Sequence, residues 1–218
     1  MGTEHPDTAT IYNNIALIHS YQNENSKALA GYEKALAIRK KALGDNHPDT
    51  ATSYNNIACI YKDEGDFTTA LEWLDYSLAI RKRVLGEEHP DTLSSYNNIA
   101  VVYKHQGDYS EALQLHQSNL EKRTRILGSE HPDTATTYSN IASVCKEQGD
   151  NSNALMFYNK ALAIRKKILG DEHPDTLKTQ DSIRELQMPS EVIDEEGDCE
   201  MADYYRNMVS HTQRAGGI

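Results

Sequence analysis

The chain is short of basic residues, cysteines, large aromatics and long apolar runs, and each shortage removes a class of function. Its 22 Lys and Arg stand against 33 Asp and Glu, a formal net charge of −11 over 218 residues. Nucleic acid and anionic membranes both need a basic footprint that releases counterions, so neither is an expected partner. Cys59, Cys145 and Cys199 are the only three cysteines and fall in no paired or metal-type spacing, which favours a reducing, cytoplasmic setting over a disulfide framework. No apolar run approaches the roughly 18 residues of a membrane span, and Met1-Gly2-Thr3-Glu4 lacks signal-peptide character. Aromatics make up 7% of the chain and most are Tyr, so the core has to come from Leu, Ile, Ala and Tyr at periodic positions. There is no Gly-rich phosphate loop.

What is present is a repeat. His-Pro-Asp-Thr begins at His5, His47, His89, His131 and His173, each 42 residues after the last. A period of this length marks stacked supersecondary units that pack on their neighbours rather than around one central core. Residues 47–88 serve as the type unit. Pro48 suits the first position of a helix and Asp49 its positive end. Tyr54, Ile57, Ala58 and Tyr61 then recur at helical spacing as one buried stripe. Gly65-Asp66 breaks that helix. Ala70, Leu71, Leu74 and Leu78 form a second stripe, extended by Val84-Leu85, and Gly86 closes it. The unit is predicted to be two antiparallel helices joined by a tight turn. Basic clusters end each second helix, Arg39-Lys40-Lys41, Arg81-Lys82-Arg83, Lys122-Arg123 with Arg125, and Arg165-Lys166-Lys167. They are expected to be mostly solvated helix ends that complement the dipole.

Tyr54-x-x-Ile57-Ala58-x-x-Tyr61, Gly65-Asp66-Phe67-x-x-Ala70-Leu71, the small residue at Ser77 (Ala35 and Ala161 elsewhere) and Leu78 resemble the tetratricopeptide repeat. The Leu-Gly-x-x-His-Pro-Asp-Thr run followed by Asn-Asn-Ile-Ala is similar to the 42-residue form in kinesin light chains and in arrays appended to signalling proteins. The resemblance covers residues 5–188 and implies an all-α, right-handed superhelical solenoid of antiparallel helix pairs. Four repeats are expected at 5–46, 47–88, 89–130 and 131–172, with a capping helix of a partial fifth at 173–188. Because residues 1–5 align with 43–47, the chain opens in mid-pattern and reads as a segment of a longer array.

Departures from the pattern carry their own expectations. Asn23 replaces the turn glycine of the first unit, and Asn tolerates a left-handed backbone. Asn119 stands at the small position of the third unit, where packing is expected to be loose or hydrogen-bonded. Cys145 takes the place of Tyr61 and Tyr103 and reads as a buried thiol. Arg184 occupies the small Ala position of the fifth unit, and Pro189 stops the helix. Residues 189–218 carry seven acidic side chains against Arg206 and Arg214. Disorder suits that composition, yet Gly197-Asp198-Cys199-x-x-Ala202 echoes a second-helix start, which suggests a degenerate helix over about 198–213. The run Glu191–Glu196 is either a solvated charge run or a segment that binds the chain's own groove.

No catalytic constellation emerges. Five equivalent His-Pro-Asp-Thr copies at helix starts suit caps, whereas an active site is one asymmetric cluster. Copies one unit apart, roughly 10 Å, cannot share a metal bound at about 2 Å. No cofactor, metal or enzymatic role is expected. The first-helix face that each unit leaves unburied is richer. It carries Asn13, Asn14 and Leu17; Asn55, Asn56, Cys59, Lys62 and Asp63; Asn97, Asn98, Val101, Lys104 and His105; and Ser139, Asn140, Ser143, Lys146 and Glu147. The resemblance implies that this face lines a concave groove. Carboxamides donate and accept together, so Asn14, Asn55, Asn56, Asn97, Asn98 and Asn140 suit the backbone of an extended peptide. Lys62, Lys104 and Lys146 favour an acidic one. An interhelix hydrogen-bonding role for the asparagines is the competing reading. The expected function is a protein interaction module that binds an extended acidic segment. The alternative is a structural or ligand-sensing segment of a larger signalling protein with its activity elsewhere.

Overall fold

The computed structural model describes residues 5–188, which form helices throughout and no strand. Each 42-residue period holds a helix pair: α1 (Pro6–Tyr21) with α2 (Asn25–Leu43), α3 (Pro48–Asp63) with α4 (Phe67–Leu85), α5 (Pro90–Gln106) with α6 (Tyr109–Leu127), and α7 (Pro132–Glu147) with α8 (Asn151–Leu169). The half-unit that follows is α9 (Pro174–Gln187). Within a period the two helices pack on each other, and each second helix packs on the first helix of the next period. The result is an all-α solenoid whose core is a string of small clusters. Residues 1–4 and the whole of 189–218, including the acidic run and the expected helix at 198–213, lie outside the described residues.

The repeated tetrapeptide builds every joint. The histidine is the N-cap itself: its Nδ1 accepts the backbone N–H of the following Asp at 3.1–3.2 Å in all five copies. Such a bond fills one of the orphan donors of a helix start and fixes the imidazole proton on Nε2. The threonine closes the loop before it, donating to the carbonyl of the preceding glycine at 2.8–2.9 Å in Thr50, Thr92 and Thr134. Those three hydroxyl residues are fully buried.

Helix ends follow the expected chemistry. Gly107 caps α5 at φ 87, and Asn23 takes the same left-handed turn at φ 58. In the first unit the two helices meet at a glycine, where a Cβ on Gly31 would meet Ala16 Cβ at 2.8 Å. In the second unit Trp73 stands at that position and packs against Tyr54 with ring centroids 5.4 Å apart and planes tilted by 30°, and Tyr76 completes the aromatic group. At the end of the stack, Ile11, Ile15 and Ile18 of α1 are exposed, although their counterparts Ser53, Ile57 and Ile60 are buried against α2. Arg184 points outward beside Asp181. Cys145 is buried as expected, and burial pushes its thiol up.

The third unit is the least regular. His116 occupies the place of Leu74, is 1% exposed, and has no partner at either ring nitrogen among the described residues. Asn119 is both hydrogen-bonded and loosely packed: its Nδ2 donates to the Leu93 carbonyl at 2.7 Å, its Oδ1 has no partner among the described residues, and it lines a cavity of about 190 Å³ with Tyr96 and Leu115.

Candidate functional site

The first helices stand in sequence along the array, and their asparagines bond one another. Asn56 Nδ2 donates to Asn13 Oδ1, Asn98 Nδ2 to Asn55 Oδ1, and Asn140 Nδ2 to Asn97 Oδ1, each at 2.7 Å. The second asparagine of one unit is thereby tied to the first asparagine of the unit before. Asn14, which is exposed, has no such partner among the described residues. Three identical joints make the pair a spacing device, so a ladder that faces only a ligand is too simple a picture. Capacity remains, however. A carboxamide has two N–H donors and two lone pairs, and each bond consumes one donor on one side and one lone pair on the other. All six paired asparagines are partly exposed.

The lysines diverge from one another. Lys62 Nζ lies 2.7 Å from Asp63 Oδ1 on its own helix. Lys146 Nζ lies 2.7 Å from Glu185 Oε2 of α9, a bond that raises the lysine's pKa. Lys104 instead donates to Ser143 Oγ at 3.1 Å, and among the described residues no carboxylate is bonded to it. Burial draws its pKa down; Glu147 opposes that fall, while Lys62 and Lys178 deepen it. Of the three lysines expected to favour an acidic ligand, Lys104 is the one without an ion pair among the described residues.

Lysine and asparagine meet across the joint. Lys62 of one unit and Asn98 of the next line a recess of about 40 Å³ with Cys59 and Val101. One step along, Lys104 and Asn140 share a larger cleft of about 520 Å³ with Ser139, Ser143 and Lys178. The offset repeats: each lysine sits with the second asparagine of the following unit. Burial pushes the Cys59 thiol up, with Lys62 opposing, so it is a poor nucleophile at neutral pH. His105 stacks on Phe67 with ring centroids 6.1 Å apart, and burial holds its pKa down, assisted by Lys104 and Lys62. Among the described residues no group of three or more His, Cys, Asp or Glu could hold a metal ion. Among the same residues no helix is long and apolar enough to cross a membrane.

The arginines of the basic clusters correct the expectation of solvated helix ends. Arg39, Arg81 and Arg123 are 7%, 7% and 3% exposed. Arg81 Nη1 donates to the Asp91 carbonyl at 3.0 Å and to Ser95 Oγ at 2.8 Å, and its Nη2 donates to Thr52 Oγ1 at 3.2 Å. Arg123 repeats the pattern with Asp133, Thr137 and Ser94. One guanidinium fork therefore clamps three helices. Burial lowers the pKa of both arginines, and the neighbouring Asp91 and Asp133 oppose it. The sequence signal was available in the hydroxyls Ser53, Ser95, Thr137 and Thr179, which recur on an otherwise apolar face at the 42-residue spacing. The lysines beside them do lie at the surface, where Lys40, Lys82 and Lys166 pair with Asp45, Glu87 and Asp171.

Comparison with known proteins gives a consistent picture. The sequence model of the tetratricopeptide repeat matches residues 7–81, 60–118, 93–167 and 139–183, which together cover most of the chain. No curated protein matches. Among solved structures, BtubC (BKLC) from P. vanneervenii is similar at 29% identity and a TM-score of 0.63, over 78% of this chain and 68% of that one. A kinesin light chain-like protein of nearly identical TPR-like repeats from Podosopora anserina aligns over 96% of this chain and 93% of its own, at 24% identity and a TM-score of 0.65. The apo form of RapI aligns at 19% identity and a TM-score of 0.68, over 95% of this chain and 70% of that chain. The last two speak to the fold alone.

Proposed function

We propose that this chain, which belongs to the tetratricopeptide-repeat family, is a protein interaction module that holds an extended, acidic peptide segment along its first helices. Repeats of this family generally mediate protein–protein interaction and act as non-catalytic scaffolds, and the finer reading concerns what this array selects. The observation that carries it is the offset pairing of a lysine with the next unit's asparagine, at Lys62 with Asn98 and at Lys104 with Asn140. An extended peptide exposes a backbone donor and acceptor at every residue, and the unspent half of each carboxamide pair can meet them irrespective of side chain. The lysine beside each pair supplies the selectivity, because local field governs docking more than the net charge of −11 does. Asn14, Asn55, Asn56, Asn97, Asn98 and Asn140 would hold the backbone, and Lys104, ahead of the internally paired Lys62 and Lys146, would read the acid. Nucleic acid and membranes are outside this proposal, and a reducing, cytoplasmic setting is part of it, in keeping with the free thiols Cys59 and Cys145.

The test is an array of capped, extended peptides that differ in Asp and Glu content, titrated against the full chain at low and high salt. Affinity should rise with acid content and fall as salt rises. Asn98→Ala and Lys104→Glu should each weaken the best binder by roughly tenfold, the worth of one charge-assisted or well-formed buried hydrogen bond. Unchanged binding in both variants would remove the groove assignment.

A further inference from the structure

The cleft at the α9 end of the groove departs from the repeat in a direction of its own. Following the period, the residue after the His-Pro-Asp-Thr and one apolar or small residue is Thr10, Thr52, Ser94 and Thr136, a hydroxyl each time, but Lys178 in the last copy. Lys178 is exposed and is bonded to no carboxylate among the described residues. Along the groove floor the series Leu17, Cys59, Val101 turns polar at Ser143. Both changes fall on one cleft of about 520 Å³, which Arg165 also lines.

Arg165 differs from Arg81 and Arg123 and resembles Arg39, whose fork also meets one carbonyl and one hydroxyl. In Arg81 and Arg123 the second arm of the fork is spent on Thr52 and Ser94. Arg165 bonds Thr179 and, at 3.4 Å, the Asp175 carbonyl, but no bond joins it to Thr136, the equivalent hydroxyl. Thr136 donates to the Pro132 carbonyl just as Thr52 and Ser94 donate to those of Pro48 and Pro90, so what it lacks is the arginine it would accept from. Ser139 Oγ is buried at the same cleft with no partner among the described residues. Lys104 spends one of its three donors on Ser143. The lining thus holds Lys104, Lys178 and Arg165 against the single carboxylate of Asp175, in a chain whose overall charge is −11. Unspent donors from two ammonium groups, one guanidinium and one buried hydroxyl converge there.

We infer that this cleft takes a phosphorylated side chain of the bound peptide. A phosphomonoester carries about −1.5 to −2 charge at neutral pH and three acceptor oxygens, against −1 and two oxygens for a carboxylate. It answers the local excess of two positive charges and can accept from more of the open donors than a carboxylate can. The inference rests on the groove reading for the peptide that carries the group, and it assigns the anchor to the α5, α7 and α9 end rather than to the lysine line as a whole.

The experiment is a titration of the full chain with a short capped peptide bearing a central phosphothreonine, alongside its Glu and Thr counterparts, followed by amide NMR and calorimetry. The phosphopeptide should bind roughly tenfold or more tightly than the Glu peptide and shift the amides of Ser139, Asn140, Ser143 and Lys178. Lys178→Glu should abolish that preference, whereas Lys27→Glu, the same charge change on α2, should leave it in place. Equal affinity for the phosphorylated and Glu peptides, or a preference that survives Lys178→Glu, overturns the inference. If Asn98→Ala weakens the Glu peptide while phosphate brings no gain, the groove reading stands and the phosphate cleft falls. If the gain depends on Lys178 but Asn98→Ala has no effect, the cleft stands and the groove reading falls.

Discussion

Replacing His116 by Leu should make the array more stable at neutral pH and flatten its response to acid. The imidazole is 1% exposed, and neither ring nitrogen has a partner among the described residues. Leaving a buried polar group unpaired costs about 1–3 kcal/mol, and the second unit shows that Leu74 fills the same place while 1% exposed. The variant should therefore gain about 1–3 kcal/mol at neutral pH. Acid adds a second term. Burial, then Arg123, then Lys104 bring the folded-state pKa from its ordinary 6.5 down to about 4. As pH falls through this window the unfolded chain binds a proton that the folded chain refuses, so the wild type loses stability on the way down. Below about pH 4 both states are protonated and the loss is complete, about 3 kcal/mol from one group. Urea denaturation of both proteins by circular dichroism, at about pH 7 and about pH 4, isolates this term in their difference because all other titrations are shared. A variant less stable than the wild type at neutral pH, or a gap between the two that stays constant across the window, would refute the reasoning.

Other consequences are equally direct. Arg81→Lys keeps the charge but loses the fork that joins Thr52, Asp91 and Ser95, and should cost about 2–4 kcal/mol in chemical denaturation; a loss under about 0.5 kcal/mol would show that the clamp is incidental. His89→Ala removes the cap on the Asp91 N–H and should cost about 1 kcal/mol, with His89→Asn recovering most of it, as read from the thermal midpoint. A double-mutant cycle on Asn55→Ala and Asn98→Ala should return a coupling of about 0.5–1.5 kcal/mol in stability; simple additivity would mean that the carboxamides are independent.

The period made most of the architecture readable before any coordinates. A 42-residue recurrence of Pro, Gly and apolar stripes dictates two helices and a stacking direction, because those residue types act locally. What local chemistry does not encode is which polar groups meet across a joint. Asn55 and Asn98 are 43 residues apart, and nothing in either helix shows that one carboxamide will reach the other. The arginines were hidden for the same reason: Arg81 sits in a run of cations that satisfies the rule for exposed helix ends, and only the neighbouring unit's Ser95 turns it inward. Histidine was legible as a helix-start marker but not as the capping atom, since the preference for Pro and Asp already accounted for the position. Within the groove the lysines were read as equals because their intervals match. Their ion pairs depend on Asp63 and Glu185, residues that differ from unit to unit.

The carboxamide chain from Asn13 to Asn140 has a mechanical consequence. Adjacent asparagines in one helix are joined by the backbone, and successive helices are joined by the 2.7 Å bonds, so the floor of the groove is one continuous filament crossing the first four units. The curvature of a solenoid is built from small rotations between neighbours. If the proposed peptide were gripped at two distant units, it would stretch or slacken every bond between them. On that proposal the groove would gauge contour length, favouring peptides whose anchor spacing matches its resting pitch and bending the array for those that do not.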